Sequence, residues 1–220
     1  DRLQEQPADL VVVSAGATES ARLLLLSKSR LHPSGLGNRH DWVGRNLNGH
    51  TYTGAVGLFE EDVYDDVGPG VCISVCDYNH GTPGLRGGGM LANEFIRLPI
   101  QFVGAHPPGT PSWGKAHKDF MRRYYRRNIM VQGPTQDMPT WDGRVSLDPK
   151  VEDFWGIPVL RISGDKHDHT IEIANRQAER AEAWLKEAGA SVTWQRRAGR
   201  GVSGHQHQSG TCRMGNDPKT

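Results

Sequence analysis

The sequence predicts an α+β fold: a mixed or antiparallel sheet covered by helices, joined to a remnant of an α/β domain at the N terminus. Three observations carry this. Short β-rich runs succeed one another through the middle of the chain, separated by Gly- and Pro-containing breaks. A long amphipathic helical pattern occupies residues 169–188. Near the start, an apolar run is followed by a glycine and then a helical pattern, which is half of a crossover unit. Strands in runs, with helices between some of them, favour antiparallel or mixed pairing with helices on a face.

The elements follow in order. Residues 9–14 read Asp-Leu-Val-Val-Val-Ser, apolar enough for a strand buried on both faces of a parallel sheet. Gly16 comes next, and Glu19 to Leu26 reads as a helix. Such a strand needs parallel neighbours reached through helical crossovers. Only six nondescript residues precede Pro7, and the far end, Asp217-Pro218-Lys219-Thr220, is loop-like. The expectation is therefore of a fragment, or of one part of a cleaved protein.

Residues 51–59 and 71–78 carry β-rich alternation. In the second, Val71, Ile73 and Val75 share one face, and Cys72, Ser74 and Cys76 the other. Residues 94–104 form a further candidate strand, which Pro99 confines to an edge or a bulge. The run Arg122-Arg123-Tyr124-Tyr125-Arg126-Arg127 reads as a solvated helix face with its two tyrosines turned to the core; phosphate binding with aromatic stacking is the alternative. Strands are expected at 128–132, 144–147 and 158–163. In residues 169–188, Ile171, Ala174, Ala178, Ala181, Trp184, Leu185 and Ala188 recur at three- and four-residue spacing. Gly189 ends that helix, and a last strand covers 191–195.

Composition bounds the function. The chain has 220 residues, enough for one large or two small domains. With 26 basic and 25 acidic residues its net charge is +1, which gives no reason to expect nucleic acid or a membrane surface as partner. No run of 18 apolar residues is present, so no membrane span is expected. Three cysteines, Cys72, Cys76 and Cys212, do not make a disulfide framework. Cys72 and Cys76, four apart along a strand, lie too far apart to bridge and are expected as small buried hydrophobes.

Two motifs carry less than they promise. Gly199-Arg200-Gly201-Val202-Ser203-Gly204 fits G-x-G-x-x-G, but the polar, Gly-broken string His205-Gln206-His207-Gln208-Ser209-Gly210 follows instead of a helix. A pyrophosphate needs that helix N-terminus. The pairs His167-Asp168-His169 and His205-Gln206-His207 could ligate a transition metal. The first more simply starts a helix, with Asp168 as its cap.

His207 is set apart by its context. His207-Gln208-Ser209-Gly210-Thr211-Cys212-Arg213-Met214-Gly215 resembles the H-x-x-G-T-x-R-M-G loop of the glucose–methanol–choline oxidoreductases. Three further stretches resemble the same family in its order. These are Ser14-Ala15-Gly16-Ala17-Thr18-Glu19-Ser20 with the leucines after it, Val43-Gly44-Arg45-Asn46-Leu47-Asn48-Gly49-His50, and Asp142-Gly143-Arg144-Val145-Ser146-Leu147-Asp148 followed by Trp155-Gly156-Ile157-Pro158. The family's N-terminal flavin fingerprint and its segment beyond position 220 have no counterpart.

The resemblance implies an FAD-dependent enzyme that oxidises an alcohol, a sugar or polyol CH–OH, by hydride transfer to the flavin. It implies His207 as catalytic base, with Ala15, Gly16, Gly210 and Thr211 beside the cofactor. His50 would lie near the active site, in a structural role. It implies a remnant of the FAD-binding domain at 1–50, a substrate-binding domain at 51–198 and an active-site loop at 199–220. The partners implied are a small-molecule alcohol and a complementary chain carrying the rest of the FAD domain. Two other readings stay open: a non-catalytic substrate-binding fragment, and a metal-binding protein using the His-x-His pairs.

Overall fold

A computed structural model describes residues 4–63, 70–93, 98–202, 207–217 and 219. The chain forms two compact units, each assembled from separated segments. The first comprises Asp1–Asn48, Pro139–Gly164 and His207–Thr220, and the second Gly49–Met138 and Asp165–Gln206. Residues 139–164, placed by the sequence within a continuous 51–198 segment, thus group with the two chain ends.

The second unit is an α+β body. Its strands are β1 (His50–Leu58), β2 (Ser74–Val75), β3 (Leu91–Asn93), β4 (Asn128–Gln136) and β7 (Val192–Arg196). They form one sheet in the order β2-β3-β4-β1-β7, and every pairing is antiparallel. The helix α4 (Asp168–Glu187) lies on one face. Its buried stripe, Thr170, Ile173, Ala174, Gln177, Ala178, Ala181 and Leu185, repeats every three or four residues, the spacing that keeps side chains on one side of a helix. Ala181 and Leu185 meet Ala55, Phe59, Leu91 and Val131 in the core. The small residues of the stripe let the helix approach closely, and the Thr53 hydroxyl donates to the Ala174 carbonyl at 2.6 Å.

Two shorter helices complete this unit, α2 (Pro99–Phe102) and α3 (Gly114–Tyr124). Phe102 stacks on Phe120 at 5.5 Å, and Tyr124 and Tyr125 pack against these rings. The arginines of the 122–127 run pair outward with Asp119, Glu60 and Asp62. That is the solvated helix face the sequence predicts.

The first unit holds α1 (Gly16–Leu26) and a two-stranded antiparallel hairpin, β5 (Arg144–Glu152) with β6 (Pro158–Ser163). Half-buried Arg22 ties the helix to the hairpin. Its guanidinium donates to Asp153 at 2.8 Å and to the Pro158 carbonyl at 2.9 Å.

Five local expectations are corrected. Residues 9–14 form no strand: Leu10, Val11 and Val12 are 75–80% exposed. An extended segment becomes a strand only when its backbone groups are paired, and no described strand pairs with it. The strand expected at 71–78 shrinks to Ser74–Val75, because Asn93 Oδ1 accepts the N–H groups of Cys72 and Ile73 in place of a ladder. Cys72 and Cys76 are accordingly exposed, not buried. The strand expected at 94–104 gives way to helix α2, since Pro99 sits at the first helical turn, where its fixed φ suits a helix; residues 94–97 lie outside the described set. Finally, His167, not Asp168, caps α4. Its Nδ1 accepts the His169 N–H at 3.0 Å, while Asp168 is the first helical residue and pairs with Arg200.

Candidate active site

In the first unit, one cleft of about 490 Å³ gathers three of the predicted site residues. Its lining brings Val13, Gly16, Ala17 and Ser20, at and before the start of α1, together with Gly210, Thr211 and Arg213 of the C-terminal loop. The helix side begins at Ala15, whose own N–H is held by the Ser20 hydroxyl at 3.1 Å. Alanine offers no capping oxygen, so the N–H groups of the first turn of α1 have no side-chain cap. A helix N-terminus left this way is suited to an anionic or strongly polar group.

The loop part of the lining is fixed by its backbone. Thr211 is buried, and its hydroxyl donates to the Ala17 carbonyl at 2.7 Å. Its own carbonyl accepts the Gly44 N–H at 2.8 Å. Ser209 and Asn48 exchange backbone hydrogen bonds of 3.1 and 2.9 Å, and the Ser209 hydroxyl donates to Asn48 Oδ1. Gly210 stands between these anchors with φ +94°, and a Cβ there would be 1.9 Å from the Asn46 carbonyl oxygen. The glycine of this loop is therefore a packing requirement. Asn46 itself is buried at φ +59°, with its Nδ2 lacking a partner among the described residues.

His207 opens this loop. It is exposed and holds φ +51°, a left-handed conformation uncommon for a residue with a side chain. It stands three residues ahead of Gly210 and is not among the residues lining the cleft. Ala15 also stands outside the lining, at the N-cap of α1. His205 belongs to residues 203–206, outside the described set.

A profile of the GMC oxidoreductases matches residues 139–220, which contain the hairpin β5–β6 and the whole 207–213 loop. A 2-methyl-1,2-propanediol dehydrogenase of Mycolicibacterium austroafricanum is 30% identical over 96% of this chain and 39% of its own length. The chain belongs to the GMC oxidoreductase family. A gluconate 2-dehydrogenase flavoprotein of Pantoea cypripedii is 27% identical over 98% of the chain and 37% of its own length. A 6'''-hydroxyparomomycin C oxidase of Streptomyces lividus is 27% identical over 96% of the chain and 36% of its own length. The chain thus corresponds to well under half the length of each of these relatives.

The structure adds to this GMC chain a group of residues that sequence reasoning missed. Trp42 and Trp141 meet edge to face at 4.8 Å. The Arg45 guanidinium lies 4.1 Å from the Trp141 ring centre, and Arg213 lies 4.4 Å from that of Trp42. Arg213, which lines the cleft, is thereby held by an aromatic face from outside its own loop. Burial pushes the Asp41 carboxyl up, but the hydrogen bond from Arg45 and the charge of Arg144 prevail and hold it below the usual carboxylate range. The Trp-Val-Gly-Arg string carries this pattern, but nothing in linear spacing pairs it with Trp141 or Arg213.

In the second unit, burial raises the Asp137 carboxyl against the hydrogen bond from Thr51 and the charge of Lys166. Burial lowers the Lys166 ammonium, which donates to the carbonyls of Gly199 and Gly201. Those two glycines, the start of the G-x-G-x-x-G string, serve here as backbone acceptors. His169 Nε2 accepts the Arg86 N–H at 2.7 Å. Among the described residues no group of three or more His, Cys, Asp and Glu is placed to hold a metal ion.

Proposed function

We propose that this chain supplies the catalytic loop and the substrate-binding side of an FAD-dependent oxidoreductase that oxidises the CH–OH group of a sugar or polyol, with His207 as its base. The observation that carries the reading is the cleft lined both by Gly16, at the uncapped start of α1, and by Gly210 and Thr211. The fit to a dinucleotide is chemical. First-turn N–H groups without a side-chain cap suit a pyrophosphate, and Arg213 adds a positive charge to the lining.

Oxidation of an alcohol to a carbonyl removes a proton from oxygen and a hydride from carbon. FAD, when bound, accepts the hydride and with it both electrons. The protein supplies the rest. An imidazole nitrogen of His207 takes the hydroxyl proton. Being exposed, the ring then releases that proton to solvent. Thr211 does not titrate in this scheme. Its hydroxyl is committed to the Ala17 carbonyl and holds the loop to the helix.

Residues 1–50 and 199–220 belong to the flavin side in this reading, and the sheet of the second unit to the substrate side. A complementary chain or further segment would supply the remainder of the FAD site. The test is an absorbance spectrum of the longest protein that carries this chain, purified with its partners. Flavin bands near one per chain, bleached by a sugar or polyol under anaerobic conditions, are the expected result. A colourless protein that takes up no added FAD overturns the proposal, and elemental analysis then tests the His-x-His metal reading.

A further inference from the structure

In the second unit the chain between β3 and β4 carries α2 and α3 and divides its surface by chemistry. The inner face of α3 is spent within the unit. His117, Phe120 and Tyr124 recur there at three- and four-residue spacing. His117 Nδ1 donates to the Pro111 carbonyl at 3.0 Å, and Phe120 packs against Phe102 and Tyr124. The outer face is cationic. Lys115, Lys118 and Arg122 share it and are exposed, with Asp119 as the one carboxylate among them. Asp119 pairs with Lys115 at 2.6 Å and with Arg122 at 3.5 Å. Glu60 and Asp62 pair with Arg123, Arg126 and Arg127, toward the C-terminal end of the helix. Residues 98–127 hold six Lys and Arg against a single acidic residue, an asymmetry that the near-neutral net charge of the whole chain conceals.

The same stretch exposes large apolar side chains. Trp113, the residue preceding α3 and two before Lys115, is 82% exposed. The stack of Phe102 on Phe120 holds α2 against α3. Phe102 is fully buried in that contact, while Leu98, Ile100 and Val103 stand in solvent, Ile100 at 73% exposure. An indole and three aliphatic side chains in water are unfavourable, and a bilayer interface relieves that, which is where Trp is enriched. Cations beside them are attracted by anionic headgroups, and the apolar stems of lysine and arginine lie along the interface. Nucleic acid would match the cations but give no place to Leu98 and Ile100.

We propose that α2 and α3 form a peripheral docking surface for an anionic lipid bilayer, with Lys115, Lys118 and Arg122 against the headgroups and Trp113 at the interface. This binding is independent of the function proposed above and needs no flavin. The test is co-sedimentation of the longest protein carrying this chain with vesicles of two parts phosphatidylcholine to one part phosphatidylglycerol, in ~0.1 M salt. Binding is expected there, and far less to phosphatidylcholine alone. Salt at ~1 M, where charges are screened beyond about 3 Å, should release the protein. Lys115→Gln combined with Lys118→Gln should weaken binding about 25-fold, about fivefold for each cation. Arg176→Gln combined with Lys186→Gln removes the same charge from exposed positions of α4 and should leave binding unchanged. Tryptophan emission should move to shorter wavelength on the vesicles, and Trp113→Phe should remove most of that shift. Unchanged melting temperatures check that the variants are folded. No binding to the anionic vesicles, equal binding to the neutral ones, equal losses in the two double variants, or a shift that survives Trp113→Phe would each overturn the proposal. Self-association that Trp113→Ala abolishes would also overturn it, since a second copy would then cover this face.

Discussion

Gly210→Ala is the substitution whose effect can be worked out most directly. The methyl group would lie 1.9 Å from the Asn46 carbonyl oxygen and 3.0 Å from Asn48 Oδ1. A carbon and a carbonyl oxygen ordinarily approach to roughly 3.3 Å, so the loop must withdraw by more than an ångström. Holding alanine at φ +94° costs roughly 1 kcal/mol. Withdrawal also breaks the two backbone hydrogen bonds between Ser209 and Asn48, each worth about 1 kcal/mol. The sum is about 3 kcal/mol, which lowers Tm by roughly 6–12 °C for a chain of this size. Gly16→Ala is the control. Its φ is +75°, but nothing lies within 4 Å of the added Cβ. Only conformational strain remains there, about 1 kcal/mol, or roughly 2–4 °C. Thermal melts followed by circular dichroism compare the two. Equal shifts would refute the claim that Gly210 is required by packing against Asn46.

Other perturbations test separate links. Arg213→Ala removes the cation over Trp42, an interaction worth about 1 kcal/mol; the Trp42 fluorescence should change, and an unchanged spectrum would mean that Arg213 is not held there in solution. Asp137 has a folded-state pKa raised by burial, so the folded state binds the proton more tightly and stability falls as pH rises through the carboxylate range. Asp137→Asn should therefore gain stability relative to the unsubstituted protein as pH rises above about 4, the ordinary aspartate range; a difference that stays flat with pH contradicts this. Glu182 behaves oppositely. Hydrogen bonds from Gln195 and Thr193 lower its pKa, so its contribution is present above the ordinary glutamate pKa and is lost as pH falls through the folded value. Glu182→Gln should then flatten the acid limb of a stability–pH curve, and an acid limb of unchanged slope would count against that role.

Much of the second unit was legible in the sequence because its signals are local and periodic. The stripe of α4 and the alternating runs that became β1, β4 and β7 need only the helix and strand repeats to be recognised. The signals failed where the decisive partner is remote or is a side chain. Leu10 to Val13 has the composition of a buried strand, but composition cannot supply a neighbour to pair with. Asn93 captures the backbone of Cys72 and Ile73 from 20 residues away, and no propensity scale registers that. Pro99 in the sequence suggests an edge or bulged strand, yet it starts a helix, since a fixed φ is compatible with either. At the site, His207, Gly210 and Thr211 could be named from their motif. The packing of Gly210 on Asn46 and of Arg213 on Trp42 could not, because both depend on the fold bringing residues 42–48 against the loop.

The most direct measurement is the rate of flavin reduction by a sugar or polyol under anaerobic rapid mixing, in the flavin-loaded protein and in its His207→Ala variant. The expected result is bound flavin in both, with reduction slowed about 100-fold or more in the variant, the scale of a lost general base. Reduction within a few-fold of the unsubstituted protein would remove His207 from proton transfer and contradict the assignment of this loop as the catalytic one.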